Sequence, residues 1–293
     1  MPSGKRAREQ RQQAAAALRT PPPVRSKGGA GARARQASPR ALAIGGGVAL
    51  VVIIAIVLGV VLTSGGSGGG SGVVSASDIQ GLPASGNQGS PIALQGAAEA
   101  NGLFKGIPQH GLTLGNPKAP VEMDMFIDVQ CPFCQDYETT KLPTIVQKYV
   151  RTGKVQLHLK PWAFIGGAGS QSFSGRLGLI AASFQNKGFE YAKVLYDNQQ
   201  TEDSGWLTGK ELAVIAASTT GLNIARWQAD SNSSAPKSIA SKVDALAVQD
   251  KVSGTPTVLV GTTGGKLTSV GPAGREPDLQ ETEQGIDAAL ANT

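Results

Sequence analysis

Two cysteines, held two residues apart in Cys131-Pro132-Phe133-Cys134, constrain this chain more than any other feature of its 293 residues, which contain no third cysteine. The run before them, Val121-Glu122-Met123-Asp124-Met125-Phe126-Ile127, reads as a strand, and the run after them, through Lys148, reads as a helix. A Cys-x-x-Cys pair at a strand-to-helix junction is the layout for dithiol–disulfide exchange. With no other cysteine in the chain, the pair bonds internally or to a sulfur outside. A static disulfide across so short a loop constrains the unfolded chain little. A structural zinc site normally takes four ligands, and only His110 and His158 are on hand, at unsuitable spacing. No metal and no cofactor are expected.

The formal charge of +6 is spread unevenly. Residues 1–40 carry Lys5, Arg6, Arg8, Arg11, Arg19, Arg25, Lys27, Arg33, Arg35 and Arg40 against Glu9 alone, so the rest of the chain is mildly acidic. The basic balance belongs to a tail and does not argue that a folded domain binds nucleic acid. With Pro21-Pro22-Pro23 and Gly28-Gly29, that tail reads as disordered. Residues 41–62 (ALAIGGGVALVVIIAIVLGVVL) contain no charge and form a run of about 22 residues, enough for a helix to cross a bilayer core. A cleaved signal peptide is the rival reading, but the segment before the run is too long and the run itself exceeds the usual apolar region. The expectation is an uncleaved single-pass anchor in the cell membrane. The positive-inside rule then puts residues 1–40 in the cytoplasm and the following domain outside. That compartment is oxidising and lets a dithiol cycle through a disulfide.

Residues 63–108 read as a flexible linker, nearly all Gly and Ser at first and poor in large apolar groups afterwards. A folded domain is expected over residues 109–291, long enough to bury a sound core. Within it the patterns predict a strand at 121–127, a helix at 130–151 bent near Pro143, and a strand at 155–160. Helices follow at 172–186, 189–198, 209–218, 222–229 and 236–248. Two short strands at 257–260 and 266–270 flank a Gly-rich hairpin, and a helix at 278–291 closes the domain. Thr208 and Asp278 are predicted N-caps, each with a Glu three residues on. Strand–helix–strand, a helical block, then strand–strand–helix is an α/β chain with a thioredoxin fold and a helical insertion, preceded by one transmembrane helix and a disordered tail.

Three separated motifs carry a resemblance to a known family. Leu114-Gly115-Asn116-Pro117-Lys118-Ala119-Pro120-Val121 leads into the first strand, Phe126-Ile127-Asp128-Val129-Gln130-Cys131-Pro132-Phe133-Cys134 follows it, and Val252-Ser253-Gly254-Thr255-Pro256-Thr257-Val258 comes before a later strand. Across residues 110–291 the chain resembles the DsbA-like branch of the thioredoxin superfamily, the bacterial extracytoplasmic thiol–disulfide oxidoreductases. The resemblance implies that Cys131 is the exposed nucleophile and Cys134 the buried resolving thiol. By itself, Thr255-Pro256 fits either a trans proline at a strand entry or a cis bond; the resemblance implies the cis form. Thr255, Pro256 and Phe133 are then the expected substrate contacts. Two positions depart from the pattern. The histidine common between the cysteines of the most oxidising members is Phe133, and an acidic residue common six before the nucleophile is Met125. Asp124 sits next to it, but strand alternation turns it to the opposite face.

The thiolate is the reactive form. Unpaired N–H groups at a helix start favour negative charge on Cys131, and Pro132 suits the first helical turn. Phe133 offers the sulfur no polar hydrogen, so the Cys131 pKa is expected below that of free cysteine but above the lowest in the superfamily. The expected enzyme is a protein disulfide oxidase. It acts on extended thiol-containing protein substrates, is recycled by a quinone-linked membrane partner, and works as a monomer. Reductase or isomerase duty, or a redox-inert binding module, are the alternatives. Trp162, just after the second strand, reads as core or groove lining. His158 reads as a strand residue beside solvent or a polar neighbour.

Overall fold

The computed structural model describes residues 74–272 and 274–293. The basic tail, the apolar run 41–62 and the Gly/Ser part of the linker lie outside them. Among the described residues no helix is long and apolar enough to cross a membrane. The chain runs through α1 (Ala97–Phe104), β1 (Gln109–His110), β2 (Thr113–Leu114), β3 (Val121–Ile127), α2 (Pro132–Asp136), α3 (Leu142–Ile145) and β4 (Val155–Pro161). It continues through α4 (Gln171–Ser183), α5 (Gly188–Asp197), α6 (Gly209–Ser218), α7 (Ile224–Asn232) and α8 (Ser234–Gln249). It ends with β5 (Thr257–Thr262), β6 (Thr268–Ser269) and α9 (Leu279–Leu290).

The strands form one sheet in the order β1-β2-β4-β3-β5-β6. Strand β3 lies at its centre, parallel to β4 (Val121 opposite Val155) and antiparallel to β5 (Phe126 opposite Thr257). Those directions decide where a site can form. The C-terminal ends of β3 and β4 and the N-terminal end of β5 meet at one edge of the sheet. The three connections expected to carry chemistry therefore converge there: residues 128–131, 162–165 and 252–256.

Alternation along β3 sorts the core. Val121, Met123, Met125 and Ile127 enter the main cluster with Leu157, Leu159, Val258 and Val260. Phe126 turns to the other face and packs with Val243, Ala247 and Leu259. Asp124 lies on that second face, as alternation requires, 3.2 Å from Lys160. His158 Nδ1 meets Thr113 Oγ1 at 2.9 Å. Strand β3 and helix α6 have the predicted bounds. Asp278 caps α9 with Glu281 returning the bond, a complete capping box, while at α6 Thr208 accepts the Glu211 N–H.

Four expectations are corrected. The linker reading of residues 63–108 fails for its second half. Ala97, Ala100, Leu103, Phe104 and Ile107 are buried in the main core, and Phe104 packs on Phe189 with ring centroids 5.8 Å apart. Small residues such as Ala97 and Ala100 let α1 sit close to α5, which a count of large apolar groups overlooks. The domain therefore starts before residue 109. The helix expected at 130–151 starts at Pro132, because Cys131 is extended (φ −71°, ψ 121°). It is also interrupted by wider π turns at Tyr137–Lys141 and Val146–Val150, on either side of α3. Pro143 has no N–H to give and its ring crowds the preceding turn, so the ladder widens before it rather than simply bending. The last expected strand, 266–270, shrinks to Thr268–Ser269, and β1 and β2 were not foreseen at all.

Candidate active site

Strand β3 ends at Ile127 because the chain turns there. The Cys131 N–H donates to the Asp128 carbonyl at 3.0 Å, closing a turn that delivers Cys131 to the start of α2. Pro132 occupies the first helical position, where no N–H is needed. Both cysteines are thiols. The sequence reading made Cys131 exposed. It is instead only 5% exposed, and Cys134 is fully buried. The correction has a cause: the 252–256 connection, brought by β5, lies directly over the nucleophile. The Thr255–Pro256 bond is cis, as the resemblance implies, and Cys131 Sγ donates to the Thr255 carbonyl at 3.2 Å. The exposed part of the motif is Phe133, at 61%.

The environments of the two sulfurs push their pKa values apart. Cys131 is lowered to about 6, first by the Cys134 thiol; burial opposes this, while the Thr255 side chain and the backbone N–H groups of Cys134 and Phe133 assist. The contact with the Thr255 carbonyl belongs to the protonated form alone, since only Sγ–H can donate. Cys134 is raised well above the ordinary thiol value, chiefly by burial. One donor faces it in partial compensation: the Asp128 N–H, 3.4 Å from Cys134 Sγ. The arrangement gives one sulfur that readily carries charge and one that holds its proton.

The structure brings all five expected site residues together: Cys131, Cys134, Phe133, Thr255 and Pro256. It adds others. Tyr196 donates its hydroxyl to the Asp128 carbonyl at 3.0 Å, and Gln199 donates to the Gln130 carbonyl at 2.7 Å. Helix α5 and the loop after it thus hold the turn before Cys131 from behind. Trp162 and Phe164 pack with ring centroids 5.1 Å apart and planes tilted by 46° at the neighbouring sheet end, and Phe164 is 49% exposed. Glu138, four residues after Cys134, is buried with Oε1 unpaired, and burial raises its carboxyl to about 8. Glu138 was not singled out from the sequence; its spacing of four residues from Cys134 was the available signal. Nothing in the pattern of Asp128 or Tyr196 marked either as a support for the turn, because their partners come from distant elements.

A family model described as thioredoxin matches residues 109–267. The chain is 29% identical over 181 residues to a protein of Bacillus cereus named probable disulfide bond formation protein D, covering 61% of this chain and 78% of that one. Among solved structures, oxidised BdbD from Bacillus subtilis superposes with a TM-score of 0.53 at 21% identity, covering 63% of this chain and 97% of that one. DsbA of Chlamydia trachomatis gives a TM-score of 0.53 at 22% identity, covering 64% and 94%. The two structural likenesses establish a shared fold.

Proposed function

The chain belongs to the thioredoxin family, and we propose that it is a thiol–disulfide oxidoreductase that forms disulfides in other proteins through Cys131 and Cys134. The observation that carries this reading is the split between the two sulfurs: a Cys131 thiol lowered to about 6 beside a buried Cys134 with its pKa pushed up. The name of the Bacillus cereus relative supports the disulfide-forming direction.

The cycle balances as follows. In the oxidised protein, a substrate thiolate attacks Cys131 Sγ. A substrate–Cys131 disulfide forms, the Cys131–Cys134 bond breaks, and its electron pair leaves on Cys134, which takes up a proton. The Asp128 N–H faces that departing sulfur. A second substrate thiolate then attacks the substrate sulfur of the mixed disulfide and expels Cys131 as a thiolate. A low leaving-group pKa speeds this second step. The substrate loses two electrons and gains a disulfide, and the protein ends as the dithiol. Returning it to the disulfide requires an acceptor of two electrons and two protons, which we assign to a quinone-linked membrane protein.

Extended, thiol-containing protein segments are the proposed substrates. The Thr255 backbone borders Cys131, and the exposed Phe133 and Phe164 offer apolar surface at the same end of the sheet. We also place the domain outside the cytoplasm as a membrane-anchored monomer. The uncharged run 41–62 and the basic residues before it support that topology. In intact cells making the full chain, a membrane-impermeant reductant followed by a membrane-impermeant maleimide should label Cys131; labelling only after lysis would overturn the topology.

The direct test of function is trapping. Full-length protein with Cys134→Ser should accumulate a mixed disulfide with disulfide-bearing partners, as the Cys131 thiolate displaces one partner sulfur as a thiolate, and no such species should form with Cys131→Ser. An inert binding module would form neither. Phe133 favours a second reading, a less oxidising exchanger, because it gives the thiolate no hydrogen bond. Equilibration against glutathione separates the two: a potential near about −120 mV marks a strong oxidant and one near about −270 mV a reductase.

A further inference from the structure

Asp128 is a carboxylate where β3 leaves the sheet, and it is 1% exposed. A charge so placed is costly unless hydrogen bonds compensate. Among the described residues no Lys or Arg pairs with it. Its compensation comes from three donors on three segments: the turn before Cys131, the connection after β4 and the first turn of α4. Oδ1 accepts the Gln130 N–H at 2.9 Å and the Ser172 hydroxyl at 2.6 Å. Oδ2 accepts the Ile165 N–H at 2.7 Å. One side chain therefore joins the turn that carries Cys131 to the connection after β4.

That connection holds the aromatic pair. The Trp162 N–H donates to the Ile127 carbonyl at 2.8 Å, and the Phe164 N–H donates to the Trp162 carbonyl at 3.0 Å. Beyond Phe164, the Ile165 N–H is the next polar tie, and it reaches nothing but Asp128 Oδ2. Glycines with positive φ at positions 166, 167 and 169 follow at once, and the other polar tie on Ile165 is its carbonyl, which accepts from Ser170 Oγ at 3.1 Å at the cap of α4.

We propose that Asp128 is a positioning residue whose carboxylate, through the Ile165 N–H, fixes the Trp162–Phe164 pair beside Cys131 as a wall for an apolar side chain next to the substrate cysteine. This rests on the oxidoreductase reading above and names a substrate preference for it. Asp128 touches no reacting atom through its carboxylate. Only its backbone N–H approaches sulfur, and substituting the side chain leaves that group in place.

The chemistry of the amide makes the test specific. In Asp128→Asn the amide oxygen can still accept on the Gln130 and Ser172 side. The amide NH₂ then faces the Ile165 N–H, donor against donor, and the tie is lost. Oxidised full-length protein is assayed on two reduced peptides that differ only in Leu or Ser beside one cysteine. Wild type should favour the Leu peptide through KM. Asp128→Asn should raise KM for the Leu peptide about tenfold, leave KM for the Ser peptide within about twofold, and hold kcat and the pH midpoint of Cys131 alkylation steady. Acrylamide quenching of tryptophan emission should rise, since Trp162 is released while Trp206 and Trp227 stay buried. Ile165→Pro removes the donor and leaves Asp128 untouched, and it should give the same KM change if Asp128→Asn fails to fold.

Unchanged KM values and quenching alongside a lowered Tm would show that Asp128 is only a structural anchor. A shifted alkylation midpoint or a fallen kcat with KM intact would show that the carboxylate acts on the sulfurs instead. Either outcome overturns the proposal. A wild-type protein that oxidises neither peptide would count against the oxidoreductase reading, and the quenching comparison would still decide whether Asp128 holds the aromatic segment.

Discussion

The Cys131 sulfur lies 3.2 Å from the carbonyl oxygen of Thr255, a residue 124 positions further along the chain. The contact exists because β5 runs antiparallel to β3 and starts where β3 ends. It explains how a nucleophile can be nearly covered and still stand at the edge of a surface open to a peptide. Under the proposed function, an incoming chain pairing with the Thr255 backbone would bring its sulfur to Cys131.

Iodoacetamide alkylation of the reduced protein should show a thiolate midpoint near pH 6. The Cys134 thiol is the largest contributor, so Cys134→Ala should move the midpoint upward, toward the free-cysteine value of about 8.5. The folded-state pKa lies below the unfolded one, so this group's stabilisation of the dithiol form is complete above the unfolded value and is lost as pH falls through about 6. The disulfide form has no such group. Chemical denaturation of both forms should show the reduced form gaining on the oxidised one as pH rises from about 6 toward the free-cysteine value of about 8.5, above which the raised Cys134 pKa works against it. Parallel curves would count against a perturbed Cys131.

Phe133→His should make the disulfide more oxidising. An imidazole beside Cys131 can donate a hydrogen bond or carry a positive charge, and a stabilised reduced form raises the potential. The expected shift is about +30 mV or more, read by equilibration with glutathione. At 61% exposure Phe133 contributes little to the core, so Tm should change by only a few degrees.

Glu138 carries a pH signature of its own. Burial raises its carboxyl to about 8 from the ordinary 4.5. The unfolded chain gives up this proton at lower pH than the folded one, so the group costs stability as pH climbs between those values, and the cost is fully present above about 8. Glu138→Gln should therefore stabilise the protein at pH 9, by an amount on the order of a few kcal/mol at most, and leave it near neutral at pH 4. Urea titrations at the two pH values measure the difference. Lys193 keeps both Asp197 oxygens, at 2.5 and 2.7 Å, so the variant does not strand that cation.

The packing of α1 predicts that a domain cut at residue 109 is defective. Phe104→Ala should cost about 3–5 kcal/mol, the usual range for a buried aromatic truncated to alanine. A fragment of residues 74–293 should melt cooperatively, and one of residues 109–293 should melt well below it or aggregate. Equal Tm values would return residues 74–108 to the role of a linker.

Much of the arrangement was legible in the residue order alone. Strand β3 was legible from its alternation, with Val121, Met123, Met125 and Ile127 on one face, and α6 starts where Thr208 can cap it. The Asp278 cap was readable for the same local reason. The second half of the presumed linker was not legible. Ala97 and Ala100 carry no strong hydrophobic signal, and their burial depends on a partner helix nearly a hundred residues away. Glu138 was not legible either: its burial and the unpaired Oε1 depend on elements packed around it from elsewhere in the chain.

The order of residues alone determined which sulfurs can react, that a strand ends and a helix begins around them, and that Phe133 stands where a more polar side chain would strengthen the thiolate. Those are local facts, settled by spacing and by the backbone preferences of a few neighbours. Only the folded chain decided that Thr255 covers Cys131, that Asp128 and Tyr196 brace the turn, and that an aromatic pair stands at the same sheet end. Such contacts join segments far apart along the chain, and sheet pairing creates them by choosing which strand ends lie side by side.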